Sequence, residues 1–350
     1  MKRTTTKNKL SSSKKEYLNK QSEETTPFEG NTEQMISTGS TLLDLAISGT
    51  RVKGGGLPGG ILVEIFGPSS TGKTVLLCEI GGAIQRAGGD VRYGDPEARL
   101  NHAFARMFDI DIDNVTITEP DTVTELFQSL DEWQPEGKGK IHGIMVDSLA
   151  ALSTEMEMKE KEGDKMGMRR AKEFSEGLRK FARILKQKNY LMVCSNQVRV
   201  NVNAGPYGQK YSTPGGEAVG FYASVRLRTQ LKDKIKKVKK IKGKEVKKTI
   251  GIVTTIDVYK SSVDTPYRSA DVYILFDYGI DDIRANLQFL KDYSTKSVYH
   301  LNGRDLARSI DDAIAIVEDE GLEDELKEAV TVLWHEIQDS FIVKRKKKKR

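Results

Sequence analysis

Residues 61–74 read ILVEIFGPSSTGKT and run straight into VLLCEIGGAIQRAGG. No other stretch of the chain narrows its fold so far. ILVEIFG is almost continuously apolar, which predicts a central strand covered on both faces. A helical pattern over 73–87 follows the glycine-bearing loop. Strand, loop and helix in that order, with G-x-x-x-x-G-K-T across the junction, form a phosphate-binding loop. Its members are Gly67, Pro68, Ser69, Ser70, Thr71 and Gly72. Their backbone N–H groups, Pro68 apart, can wrap phosphate oxygens, and the helix N-terminus adds partial positive charge. Lys73 would bridge the β- and γ-phosphates of a nucleotide, and Thr74 would offer its hydroxyl to Mg²⁺.

Short apolar runs alternate with amphipathic stretches from Ile36 to about Tyr278, the signature of an α/β fold with a mostly parallel central sheet flanked by helices. Strands are predicted at 61–67, 91–95, 115–118, 142–147 and 190–196, and helices at 73–87, 101–108, 121–133 and 168–188. In the last helix Phe174, Leu178, Phe181 and Leu185 form one apolar stripe. Parallel strands deliver their C-terminal ends to one ligand crevice. A Mg–ATP site needs an acid there, and IMVD places Asp147 at such an end. Hydrolysis needs a base for water. Glu97 in DPE is the candidate, with Asp95 as its competitor. Gln197 lies just past another strand end and opens QVRVNVNAGPYGQKYSTPGG, some twenty residues without a packing pattern. A loop of that length is uncommon unless it is functional.

No apolar run approaches the roughly eighteen residues of a membrane span, so a soluble chain is expected, with no membrane partner. The N-terminus lacks an apolar stretch after its basic residues and does not read as a secretory signal. Cys78 and Cys194 both sit in apolar surroundings, which suits reduced thiols in the cytoplasm. The net charge of +6 conceals three basic segments: +6 over 1–20, +8 over 232–248 and +7 over 344–350, against about −15 elsewhere. Such runs attract polyanions, nucleic acid above all, or serve as solvated tails. The run at 232–248 lies between predicted strands at 221–229 and 249–259 and reads as a hairpin tip. Residues 1–35 are expected to be a polar, basic arm without fixed structure. A core spanning 36–280 is followed by a small C-terminal α/β lobe at 281–343, helical over 304–318 and 322–341, and the tail at 344–350.

Six blocks together resemble the bacterial RecA recombinase family. They are STGSTLLDLAISG, GGLPGGILVEIFGPSSTGKT, DPEARLNHAFARMFDIDIDNVTITEPDT, IMVDSLAAL, LRKFARILKQKNYLMVCSNQVR and GGEAVGFYASVRLR. The resemblance covers about residues 36–290 and implies a RecA-like ATPase core. It further implies an ATP- and Mg²⁺-dependent helical filament on single-stranded DNA that pairs with duplex and exchanges strands, in the cytoplasm and on the nucleoid when DNA-bound. Lys73 and Thr74 match the family's phosphate-loop pair, Asp147 its metal-associated acid, Glu97 its general base and Gln197 its switch glutamine. Phe104 and Asn101 match positions around the adenine, and Lys260 a lysine that reaches a neighbouring subunit's γ-phosphate.

Two DNA loops are implied, near 157–167 and 198–214. Their DNA-facing positions are Met166, Arg199, Val200, Val202, Gly215 and Gly216, with Arg170, Ser175 and Arg179 on the helix after the first loop. Cations and backbone N–H groups there would hold phosphates, and apolar side chains would insert between bases. A solvated face for the arginines, and ordinary loop packing for Met166 and Val202, remain the plainer alternatives. The chain departs from the family at Ser262 and Gly220, where lysines are usual, and in its basic tail, where an acidic one is familiar. A divergent, phage-encoded or secondary member is the expectation. An accessory DNA-binding ATPase without strand exchange, or a scaffold that binds ATP structurally, are the competing readings.

Overall fold

A computed structural model describes residues 30–100, 102–108, 110–137, 139–154, 166–200, 211–212, 217–343 and 345. The chain opens with β1 (Asn31–Ile36), α1 (Thr41–Ser48), β2 (Leu57–Gly59), β3 (Ile61–Gly67) and α2 (Lys73–Arg86). It continues through β4 (Val91–Gly94), α3 (His102–Met107), β5 (Val115–Thr118), α4 (Val123–Asp131), β6 (His142–Val146), α5 (Met166–Lys188) and β7 (Tyr190–Gln197). A two-residue pair, β8 (Arg199–Val200) and β9 (Tyr211–Ser212), precedes α6 (Glu217–Tyr222), β10 (Val225–Ile241), β11 (Lys244–Ser261), β12 (Ser269–Leu275) and β13 (Gly279–Ile280). The C-terminal part holds α7 (Asp282–Asp292), β14 (Tyr299–Leu301), β15 (Arg304–Ala307), α8 (Ile310–Glu320) and α9 (Glu323–Ser340).

Nine strands form one sheet in the order β13-β12-β11-β10-β3-β7-β6-β4-β5. From β10 to β5 every pairing is parallel, and β11, β12 and β13 extend it antiparallel on one edge. Every residue of β3 and β6 is buried, as expected for nearly continuous apolar runs covered on both faces, and Glu64 and His142 are buried with them. Alternate side chains then serve two separate cores. Ile61, Val63, Ile65, Met145, Leu191 and Val193 pack with α1 and α2. Leu62, Ile144, Val146, Met192 and Cys194 pack with α4 and α5 on the opposite face. The stripe of Phe174, Leu178, Phe181 and Leu185 is buried in that second core. Thr122 and Glu125 close a capping box that fixes where α4 begins. Both cysteines are buried and free, and burial pushes the Cys78 thiol up to about 12.

Three segments differ from the sequence expectation. Residues 31–36, whose first five fall within the expected N-terminal arm, pair with β2 as a strand. Residues 304–307, expected to be helical, form a hairpin with 299–301, and the helix starts only at Ile310, where Ser309 caps it. The lysine run is the expected hairpin, but its lysines lie in the paired strands and only the turn is at the tip. β10 and β11 stay paired, through register shifts at Arg226/Leu227, Leu231/Asp233 and Ile235/Lys236, to Ile241 and Lys244, across a two-residue turn in which Lys242 and Gly243 have φ of 49° and 82°. Positive φ at both positions is the turn geometry whose twist matches paired strands. Ile235, Val238, Ile241 and Val246 are β-branched residues of high strand propensity set among the lysines. The C-terminal elements are not an independent core: Leu287, Tyr299, Val317, Leu326 and Trp334 belong to the same continuous apolar cluster as α1 and α2.

Candidate nucleotide site

The C-terminal ends of β3, β4, β6 and β7 meet in a cleft of about 240 Å³. It is lined by Ser69, Ser70, Lys73, Thr74, Asp95, Glu97, Asp147, Ser148, Ser195 and Gln197, among others. A larger cleft of about 280 Å³ lies between β12, α7 and α9 and contains none of the phosphate-loop residues. The smaller one holds the chemistry. Gly72 starts α2 at φ 84° and no side chain caps the helix, so its first N–H groups remain available to an anion. Positive φ at Gly72 is a glycine's conformation, which is why the motif needs one there. Ser70 also has positive φ, 61°.

The Lys73 ammonium lies over the loop, donating to the Pro68 carbonyl at 2.7 Å and the Gly67 carbonyl at 3.2 Å. Burial pulls its pKa below the ordinary lysine range, against the opposing pull of Asp147 and Glu97. Thr74 Oγ1 donates to Asp147 Oδ2 at 2.5 Å, and Ser195 Oγ donates to the other carboxylate oxygen. Tyr93 OH lies 3.4 Å from Asp147 Oδ2, and burial raises its pKa well above the usual value. Asp147 joins Ser148 through a cis peptide bond. Ser148 Oγ donates to Glu97 Oε1 at 3.0 Å, and Arg99 pairs with Glu97 Oε2 at 2.7 Å. Asp95 has a different environment. It is buried and accepts the Leu100 N–H at 2.6 Å, so it shapes the turn that carries Glu97. Gln197 is exposed at the end of β7, in register with Gly67.

Of the cleft's lining, sequence reading missed Ser148, Ser195, Tyr93 and Arg99. Period two along β7 was the available signal for Ser195. Leu191, Val193 and Ser195 share the face toward α2, whose first turn carries Thr74. The other sequence candidates are less concentrated. Asn101 and the side chain of Phe104 lie outside the described residues, although α3 carries position 104. So do residues 157–165, Val202, Gly215, Gly216 and the side chains of Met166, Arg170, Arg199 and Val200. Arg179 is exposed and Ser175 half-buried along α5. Arg199 and Val200 pair in register with Ser212 and Tyr211, so the long segment after Gln197 begins with a short ladder. Lys260 does not line its own cleft. It pairs with Arg226 at the level of Glu64, midway along β3, and donates to the carbonyls of Gly220 and Phe221 at 2.9 and 2.8 Å.

Behind the cleft a buried ion pair ties three strands. Glu64 on β3 is fully buried and accepts from Arg226 Nε at 2.6 Å and Asn196 Nδ2 at 2.9 Å. The Arg226 guanidinium also stacks on Phe66 at 4.5 Å and Tyr259 at 5.5 Å. Arg226→Ala would leave a carboxylate buried without its cation, which costs about 3–5 kcal/mol. Urea unfolding is expected to register a loss of that size. A loss under about 1 kcal/mol would place the pair among those of surface value.

The cleft can therefore receive an anion on helix N–H groups and a lysine, with two oxygen donors and a carboxylate beside it. Among the described residues no helix is long and apolar enough to cross a membrane, and no group of three or more His, Cys, Asp or Glu could hold a metal ion by itself. A family model for the RecA N-terminal domain matches residues 15–281.

Proposed function

Since the chain belongs to the RecA family, we propose that it is a DNA-dependent ATPase that forms filaments on single-stranded DNA and carries out homologous pairing and strand exchange. The observation that carries this is the convergence of Lys73, Thr74, Glu97, Asp147 and Gln197 in one cleft. A purely structural nucleotide site needs neither the base nor the glutamine.

ATP enters with its phosphates on the open N–H groups of α2 and on Lys73. The neighbouring Thr74 hydroxyl and Asp147 carboxylate are hard oxygen donors of the kind Mg²⁺ takes, and they would hold it directly or through water. When bound, the ion neutralises charge on the β- and γ-oxygens. Glu97, held by Ser148 and Arg99, accepts the proton of the attacking water. Gln197 lies beside the phosphate loop and opens the DNA segment, so loss of the γ-phosphate is felt at that segment's root. Asn101 and Phe104 are assigned to the adenine.

Lys260, which does not line its own cleft, acts on the γ-phosphate of an adjacent subunit, as an arginine finger does in trans. The site is thereby completed only in a homo-oligomer. Arg199, Val200, Val202, Gly215 and Gly216 form one DNA contact. Met166, Arg170, Ser175 and Arg179 form the other. The parts are the core, which takes in β1 and so reaches from Asn31 to Ile280, the lobe at 281–343 and the basic tail at 344–350, in a cytoplasmic protein.

One observation favours a second reading, an accessory ATPase that binds DNA without exchanging strands. A side chain at Gly220 would meet the Arg226 guanidinium at 2.9 Å, and Ser262 supplies no cation, so Lys260 acts without the family's companion lysines. Electron microscopy with single-stranded DNA and a non-hydrolysable ATP analogue separates the two. Extended helical filaments, absent with ADP, are the expected result. Rings or isolated particles would leave the accessory reading.

A further inference from the structure

We propose that the ribbon over residues 236–249 is a second nucleic-acid contact, which grips the phosphate backbone of a DNA duplex from within its major groove. The choice of DNA as the polyanion rests on the reading of the chain as a DNA-acting ATPase; the ribbon's shape and charge do not.

β10 leaves β3 after Arg228, and β11 leaves β12 at Gly251, opposite Ile235. Beyond that point six cross-strand pairs, Lys236–Thr249 to Ile241–Lys244, continue as a ribbon of two strands, with no further strand on either edge among the described residues. At about 3.3 Å per residue it projects about 20 Å. Residues 236–248 are all exposed and include eight lysines and one glutamate. Of the ten lysines at 232–248, Lys232 and Lys237 reach carboxylates among the described residues, Asp271 and Asp311, and both lie on the root side.

This charge opposes itself. Lys237 stands directly across from Lys248, and like charges so placed destabilise a pair of strands. Lys240 stands across from Glu245, so one like-charged pair is set against one of opposite sign while the other lysines crowd the same two strands. The plain alternative is that lysines merely keep a free edge from pairing with other strands. Mixed signs would do that without the repulsion, and one glutamate in thirteen residues is not a mixture. A bound polyanion would turn the repulsion into attraction.

Two features favour duplex DNA over a second copy of the chain. A two-stranded ribbon has the width that the major groove admits. Its charges, about one per 3 Å of length, approach the density of a duplex, about one per 1.7 Å. The acidic residues at 309–340 number eleven, but they are spread round α8 and α9, which together hold 29 residues. At 1.5 Å rise those helices run about 44 Å in total, a more dilute partner.

The test uses the full chain and a short fluorescent duplex, without nucleotide, over a salt series. Lys239→Gln, Lys242→Gln, Lys244→Gln and Lys248→Gln are combined in one variant. A second variant replaces 236–250 by Asn-Gly, which keeps Ile235 opposite Gly251 and the sheet below intact. Losing four phosphate contacts should flatten the slope of log K against log salt by about 3–4, so that from 50 to 200 mM salt the wild type loses about 100-fold more affinity than the variant. ATP turnover without DNA should be unchanged in both variants. A slope within about 1 of wild type overturns the proposal, as does a loss confined to single-stranded DNA. It is overturned too if sedimentation without DNA shows that the lysines hold wild-type copies together while the variants keep full duplex affinity. Without nucleotide in the assay, failure of the ATPase reading leaves the ribbon's result unchanged.

Discussion

Lys73→Ala is expected to lower ATP turnover at least about 1,000-fold and to weaken nucleotide binding with it, because one cation serves both the bound phosphates and the transition state. The ammonium is held by two loop carbonyls, 3.2 and 2.7 Å away, and its pKa is drawn down by burial. Partial desolvation strengthens its attraction to a phosphate. The same substitution should leave the fold intact. Among the described residues the Lys73 ammonium bonds to carbonyls at the rim of the cleft, so its removal opens no cavity in the core. Tryptophan-monitored unfolding supplies that control, and isothermal titration with ATP and Mg²⁺ supplies the binding arm. Turnover within tenfold of wild type, in a folded variant, would mean that the loop is not the catalytic phosphate site.

The strand–loop–helix around Lys73 was legible in the sequence because its signal is local: an apolar run, two glycines at fixed spacing and a helical period. Asp147 and Glu97 were legible for a related reason. Parallel strands bring their C-terminal ends together, so a carboxylate after an apolar run is placed by topology alone. Ser195 and Ser148 were not, because a hydroxyl at a strand end is ordinary until its partner is known. The structure supplies those partners, Asp147 and Glu97. The Glu64–Arg226 pair was illegible for another reason. Glu64 interrupts an apolar strand, and nothing local says that a cation 162 residues away reaches it. The ribbon shows the limit of composition. Ten lysines read as the tip of a hairpin; the hairpin is there, but register and a two-residue turn make the lysines its strands.

Glu97→Gln is expected to separate binding from chemistry, which Lys73→Ala cannot do. Glutamine keeps the size of the side chain and an oxygen that can accept from Ser148, so ATP affinity should stay within a few-fold. It cannot take a proton from water, and turnover should fall by at least about 100-fold, the usual contribution of a positioned base. Loss of the pairing with Arg99 is a minor effect. Arg99 is 79% exposed, and ion pairs in solvent contribute about 0–1 kcal/mol. Asp95→Asn is the discriminating companion. Asp95 is buried and accepts the Leu100 N–H, so its change should reduce stability while any residual folded protein still turns over ATP. The opposite pattern, wild-type turnover in Glu97→Gln and loss in a stable Asp95→Asn, would transfer the base to Asp95. Single-turnover measurement with saturating ATP and DNA reads the chemical step directly, so slow product release cannot hide a defect in the base.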